Sequence, residues 1–405
     1  MFFALMVAVL VSQASPSAQT KELEALTQRV DAALKQHRSA DAIGMLQSAV
    51  KAHPQWQRGW WLLGSVLYDT DNYSAARPVL ERLVQMDPKS GGPWMLLGLC
   101  EFEMRDYGMA LQHLQRGDAF GVPPELDLLE VVRYHEALLL MQAERFDPAQ
   151  LLLDQLTRRG LDSDEIVLTQ GLAALRIPIF PAALHHTASE DRIELIRRVG
   201  RAQHAIAQDK PRDAVEMYKD LVQGNPAVAN LHLSYAAVLL QIRERQAAEA
   251  ELRTELRVNA QSVEARLRLC VLLEEDAPSD AIAMATEAVA LDPKSFKTHY
   301  FLGKLLFKAE KLEQSAKELE ISRELDRSSS AVRFALIRVY KSLGREAEAA
   351  REAELFQRLR IAEDQFRKSG RVSASYFEPE ASDSEQGGKA QPQSAPGRSR
   401  AAAPR

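Results

Sequence analysis

The sequence lacks the features that mark an enzyme or a nucleic-acid-binding protein. No glycine-rich phosphate loop, nucleophile elbow or paired-cysteine motif occurs in its 405 residues. The formal net charge is only -5, and no block of lysine and arginine is present, which disfavours nucleic acid and acidic membrane surfaces as partners. We therefore expect a non-catalytic chain that holds no cofactor and no metal.

Residues with redox or metal chemistry are also scarce. Cys100 and Cys270 are the only cysteines, and each lies in an apolar helical pattern. A disulfide between them is possible in an oxidising compartment, but two small buried helix residues fit the pattern better. The His185–His186 pair has no supporting ligand pattern, so we expect it in a solvated, irregular loop.

Long hydrophobic runs are absent after the first residues of the chain. Residues 2–11 are apolar and are followed by Ser12 and Ala14, the small residues that a signal peptidase prefers. This run is shorter than the roughly 20 residues that span a bilayer. We expect a signal peptide at residues 1–18, although no Lys or Arg precedes the run. The mature chain is then exported, periplasmic or secreted, with no direct membrane span, and a non-functional signal leaves it cytoplasmic.

What the sequence does contain is a repeat. Apolar residues make up 46% and charged residues 26%, the balance of a folded protein. Proline or aspartate recurs at a spacing of about 34 residues, as at Pro54 and Pro88 or at Asp292 and Asp326. This spacing is typical of arrays of helix-turn-helix units.

Positions inside the unit recur as well. Trp60, Leu63 and Leu67 lie on one face of a first helix, and Ala76 and Leu80 lie on one face of a second. Glycine inside a helix costs about 1 kcal/mol relative to alanine. Close approach of the paired helix is expected to offset this cost at the recurring glycines, which are Gly64, Gly98 and Gly303.

These residues resemble the tetratricopeptide repeat family. The resemblance implies an all-α, right-handed superhelical solenoid of about nine helix-turn-helix repeats that binds protein or peptide segments in a concave groove. The units fall near residues 23–56, 57–90, 91–124, 130–163, 195–228, 229–262, 263–295, 296–329 and 330–363.

The repeat is interrupted once. Residues 176–181 contain two prolines, which bias their predecessors away from helix. From about Ser369 the composition turns to Ser, Pro, Gly, Ala and Gln and predicts disorder. The expected organisation is a signal peptide (1–18), an N-terminal array (19–176), an irregular proline-containing connection (177–190), a C-terminal array (191–366) and a disordered tail (367–405).

In this family the first helix of each unit lines the groove. The corresponding positions predict an aromatic and aliphatic wall near one end and a basic, aromatic wall near the other. The groove asparagines of the carboxylate-clamping members are missing, so that specificity is not carried over. Packing between units and a solvated lysine face are the alternatives. The candidate groove residues are Trp61, Tyr68, Met95, Leu99, Phe102, Lys297, Tyr300, Lys304, Lys308, Phe334, Arg338 and Lys341.

The function expected from this pattern is a non-catalytic scaffold or adaptor that binds other proteins. Two alternatives remain open. One is an accessory protein in cell-envelope assembly or transport, and the other is a non-catalytic regulatory subunit of an enzyme complex.

Overall fold

A computed structural model describes residues 18–121 and 128–368 of the chain. The elements within these ranges are all helices. The expected signal peptide (except for Ala18) and the expected tail from residue 369 lie outside the described residues. The helices are α1 (Ala18–Lys35), α2 (Ser39–Ala52), α3 (Gln57–Asp69), α4 (Tyr73–Met86), α5 (Gly91–Glu103), α6 (Tyr107–Phe120), α7 (Leu129–Gln142), α8 (Phe146–Arg158), α9 (Asp164–Ala174), α10 (Pro181–Thr187), α11 (Glu190–Ala207), α12 (Pro211–Gly224), α13 (Leu231–Gln241), α14 (Arg245–Val258), α15 (Val263–Leu273), α16 (Pro278–Leu291), α17 (Phe296–Lys308), α18 (Leu312–Leu325), α19 (Ser330–Ser342) and α20 (Glu346–Lys368).

Each of the nine predicted units corresponds to a pair of these helices. In some of these pairs a glycine permits close packing: a Cβ at Gly64 would lie 2.6 Å from Leu80, and one at Gly303 would lie 2.6 Å from Leu319. Contacts this short leave no room for a side chain. The predicted all-α solenoid of helical repeats is confirmed.

The turn inside the unit has a fixed conformation. His37, Asp71 and Arg105 occupy the left-handed region, with φ of 56°, 56° and 63°. The same turn recurs in later units at Asp209, Arg243 and Glu310. The unit at 263–295 is one residue short, and none of its described residues has a positive φ.

A second recurring device joins neighbouring units. Trp60 and Trp94 each donate their indole N–H to the carbonyl of the proline six residues earlier, at 3.0 Å. His299 lies at the same position of its unit, and its Nε2 is 3.1 Å from the carbonyl of Pro293. Different side chains therefore bind the same carbonyl in the turn that follows the preceding helix.

The connection between the arrays differs from the expectation. Residues 181–187 form helix α10, so the prediction of an irregular segment over 177–190 is wrong for this part. His186 is an exposed residue of this helix and not of a loop. Pro181 occupies the first helical position, where its missing N–H has no intrahelical partner to lose.

The helices on either side of α10 pack antiparallel. A Cβ at Gly171 of α9 would meet the carbonyl oxygen of Ile196 at 2.0 Å, and one at Gly200 of α11 would meet that of Val167 at 1.9 Å. Since α10 has only 7 residues, α11 takes the place of a full second helix beside α9. The first helices of the later units therefore run opposite to those of the earlier units.

The core continues across this reversal. Ser234 of α13 donates to the carbonyl of Ala174 at 2.8 Å, and the Asn230 amide donates to that of Leu175 at 3.0 Å. One hydrophobic cluster extends from Ala137 to Leu306. The two runs of repeats thus share a core where they meet.

Candidate functional site

The N-terminal wall of the predicted groove is partly a packing surface. Met95 and Leu99 are fully buried, so their prediction as exposed groove residues is wrong. They form a cluster with Leu114 of α6 and with Val132 and Leu139 of α7. The next unit covers this face of α5, which the repeat pattern alone did not reveal.

The three aromatic residues of that wall are half-buried. Trp61 and Tyr68 pack against the core of the first units. Phe102 contacts His135 with ring centroids 4.6 Å apart and Phe180 at 5.7 Å. These contacts fit packing between units, and a binding role for the three residues stays a prediction.

Three of the four lysines of the second wall, Lys297, Lys304 and Lys308, have partners within the chain. Lys297 lies 3.2 Å from a carboxylate oxygen of Asp147. Lys304 and Lys308 both bind Glu274, at 3.2 and 2.8 Å. Burial alone would raise the pKa of Glu274, but hydrogen bonds and charge from the two lysines outweigh it and lower the pKa. Lys304 and Lys308 therefore stabilise a largely buried carboxylate.

Tyr300 and Phe334 occupy the same position in consecutive units, 34 residues apart. Tyr300 is 6% exposed, so its prediction as an accessible groove residue is wrong. Phe334 is 41% exposed. The last unit has no successor within the described residues, and the position that is covered at Tyr300 is open at Phe334.

Three of the predicted residues share one accessible face of α19. Phe334, Arg338 and Lys341 are exposed and follow each other at i, i+4 and i+7. The guanidinium carbon of Arg338 lies 4.9 Å from the ring centroid of Phe307, and Phe334 contacts Phe356 at 5.7 Å. We call these five residues the C-terminal face.

Sequence reasoning missed Phe307 and Phe356 as members of this face. Phe307 lies 34 residues before Lys341, so the repeat register itself contained the signal. Phe356 takes the position that Ser322, fully buried, has in the preceding unit. The C-terminal face presents aromatic rings and two cations. Such a surface suits a binding partner that carries apolar groups next to negative charge.

A separate open cavity of about 670 Å³ lies near the reversal, between α8, α11 and α13. It is lined in part by Asp154 and Thr157. Burial raises the pKa of Asp154 to about 6, opposed by hydrogen bonding from Gln150. Behind it, Thr157, His204 and Gln170 contact one another at 3.2 Å. These contacts provide hydrogen-bond partners for polar side chains inside the junction between the two runs of repeats.

The described part of the chain contains neither a group of metal ligands nor a candidate membrane-spanning helix. Among those residues, no three His, Cys, Asp or Glu side chains are grouped to hold a metal ion. The same residues include no helix that is both long and apolar enough to cross a membrane.

Comparison with known proteins gives matches in family and in structure. The tetratricopeptide repeat model matches residues 27–93, 67–120 and 199–263. No curated protein matches the chain. Among solved structures, MamA from Desulfovibrio magneticus RS-1 is 17% identical with a TM-score of 0.37, covering 42% of this chain and 96% of that one. The Cut9–Hcn1 hetero-tetramer of the APC/C gives 12% identity and a TM-score of 0.37, covering 82% and 86%. The family model thus identifies tetratricopeptide repeats within residues 27–120 and 199–263, and helix pairs recur through the described residues.

Proposed function

We propose that this protein is a non-catalytic scaffold that binds acidic, aromatic-containing peptide segments through its C-terminal face. The observation that supports this most is the difference between Tyr300 and Phe334, which are 6% and 41% exposed at equivalent positions. A large aromatic residue left open at the end of an array has the character of a binding anchor.

The cations of the face define the kind of partner. Arg338 and Lys341 are exposed on the same side as Phe334. An aromatic group of the partner packs on Phe334 and Phe356, and its carboxylates pair with the two cations. Because the site is exposed to solvent, the charge contribution weakens as salt is added.

The test uses fluorescently labelled ten-residue peptides and the full chain. One peptide carries two aromatic residues and four glutamates, and a matched peptide carries lysines in their place. We expect the acidic peptide alone to bind. Arg338→Glu with Lys341→Glu is expected to weaken its binding by about tenfold or more, which corresponds to about 1.4 kcal/mol.

The matched control is Lys219→Glu, which reverses an exposed charge on α12. It is expected to leave peptide affinity and the melting temperature unchanged. Equal affinity of the acidic peptide for the original chain and for the Arg338→Glu/Lys341→Glu variant would rule out the proposed site.

Export is also part of the proposal. It is supported by the apolar run at residues 2–11 and the small residues that follow it. N-terminal sequencing of the protein from its own cells tests it. Cleavage near residue 18 in an exported fraction is expected, and an intact N-terminus in a cytoplasmic fraction would contradict it.

A further inference from the structure

The last helix pair of the array has an uncovered side. In the preceding unit, Tyr300 and Ser322 are 6% and 0% exposed. Their equivalents in the last unit are Phe334, which is 41% exposed, and Phe356, which is partly exposed. Leu355, beside Phe356, is 39% exposed. Repeat arrays need a polar cap at each end, so an apolar end of this kind calls for a cover.

The chain itself carries a segment with complementary chemistry. Residues 376–385 begin with Tyr376 and Phe377 and contain no lysine or arginine. Their carboxylates are Glu378, Glu380, Asp383 and Glu385. The aromatic pair matches the rings of the C-terminal face, and the acidic residues match Arg338 and Lys341 in charge.

The segment is also within reach. Lys368 lies twelve positions after Phe356 in helix α20, a rise of about 18 Å. Eight residues lead from Lys368 to Tyr376 and span at most about 26 to 29 Å when extended. A chain that turns back at the end of α20 therefore returns the aromatic pair to the level of Phe356.

We propose that residues 376–385 dock on the C-terminal face of the same chain. Tyr376 and Phe377 cover Phe334 and Phe356, and the carboxylates pair with Arg338 and Lys341. The segment thereby caps the array and competes with any external partner for the face. This inference shares the C-terminal face with the proposed function and rests on that function in no other respect.

Tethering makes such competition effective. Short flexible links give effective concentrations in the millimolar range. A segment that binds with a dissociation constant of about 100 μM when separate is then bound about nine-tenths of the time. An external peptide must displace it, and its apparent affinity falls by about tenfold.

The experiment compares three full-length chains: the original, the Tyr376→Ser/Phe377→Ser variant, and a control with Gln391→Ala/Gln393→Ala outside the segment. The probe is a labelled synthetic peptide of residues 373–388. We expect about tenfold tighter binding to the Tyr376→Ser/Phe377→Ser variant than to the original or the control chain. Equal affinity for all three chains would overturn the docking.

Amide hydrogen exchange of α19 provides a second readout that needs no external peptide. Exchange over residues 330–342 is expected to be faster in the Tyr376→Ser/Phe377→Ser variant than in the other two chains. Faster exchange and binding of the 373–388 peptide, with no binding of the unrelated four-glutamate peptide, would leave the docking in place and remove the proposed function. Binding of acidic peptides with no change in exchange would do the reverse.

A second copy of the chain is the other possible cover. Light scattering over a hundredfold range of concentration separates the two cases. We expect a monomer throughout. A dimer that disappears in the Tyr376→Ser/Phe377→Ser variant would overturn the intramolecular arrangement.

Discussion

Lys297 reaches Asp147 across 150 residues of sequence, with Nζ 3.2 Å from Oδ2. The same carboxylate accepts from Arg176 at 3.3 Å. Asp147 lies in the first turn of α8, and Lys297 lies in the first turn of α17. The antiparallel packing of α9 and α11 explains the contact. Because it reverses the first helices of the later units, α17 runs in the same direction as α8, and both helices begin at the same edge of the molecule.

We expect the Lys297–Asp147 ion pair to affect the overall dimensions of the molecule more than its free energy of unfolding. The side chains of Lys297 and Asp147 are 25% and 38% exposed, and partly exposed ion pairs contribute about 1 kcal/mol or less. Asp147→Asn should change the free energy of unfolding by less than about 1 kcal/mol but increase the radius of gyration in low salt. Small-angle scattering at low and high salt measures this.

The control for that experiment is Lys219→Ala, which removes an exposed pair with Glu216 within α12. It should leave the radius of gyration unchanged. If Asp147→Asn and the control gave the same scattering at every salt concentration, the link would have no role in holding the two runs of repeats together.

The packing of α9 against α11 depends on its glycines. A Cβ at Gly171 would lie 2.0 Å from the carbonyl oxygen of Ile196, which is backbone and cannot rotate away. Gly171→Ala is expected to destabilise the protein by about 1 to 3 kcal/mol. Gly44→Ala is the matched control, since a Cβ at this helical glycine meets nothing within 4 Å. It should be neutral or stabilising by up to about 1 kcal/mol. Thermal unfolding of both variants checks the prediction, and equal melting temperatures would refute it.

Glu136 should make stability depend on pH. It is 4% exposed, and burial, with the charge of Asp118, raises its pKa to about 7. The folded state therefore holds a proton that the unfolded state releases above a pKa of about 4.3, so stability falls as the pH rises from about 4.3 to 7. Glu136→Gln should be more stable than the original chain at pH 8.5, by about 1 to 3 kcal/mol, and equal to it near pH 4.

Urea unfolding of both chains at the two pH values measures this difference. Glu216→Gln on the surface serves as the control and should show no pH-dependent gain. The opposite result would be a Glu136→Gln variant that matches the original chain at pH 4 but is less stable than it at pH 8.5. That result would show that the Glu136 carboxylate is ionised and paired in the folded protein.

The sequence predicted the repeat because its signals are local. Spacing, glycine and proline are enough to place Gly64 against a second helix and to end a helix near Pro88. Which residues are accessible depends on the neighbouring unit, and identical register positions differ for this reason, as at Tyr300 and Phe334. Two residues 34 positions apart occupy equivalent places in their units. Whether each is exposed to solvent depends on whether a further unit packs against it.

Other features were hidden because unrelated residue types perform the same task. Trp60 and His299 make the same hydrogen bond to a preceding carbonyl, and no composition rule equates them. The left-handed turn is occupied by His37, Asp71 and Arg105 and not by glycine, which removed the usual signal. Pro178 and Pro181 predicted an interruption because proline disfavours helix in the residue before it. That argument does not predict helix α10, which begins at Pro181, because it omits the favourable effect of proline at a first helical position.

The two cysteines provide a test that combines burial with the expected export. Cys100 and Cys270 are free and buried, and they belong to separate hydrophobic clusters. Burial raises the pKa of each thiol to about 12. At pH 8 both are therefore protonated and shielded, and a thiol-specific reagent should modify neither in the folded chain.

Both thiols should react once the chain is unfolded. The mass of the untreated protein should be that of the dithiol even after isolation from an oxidising compartment. Rapid modification of one thiol in the folded protein, or a mass lower by two hydrogens, would show that the described packing of these helices is not the state present in solution.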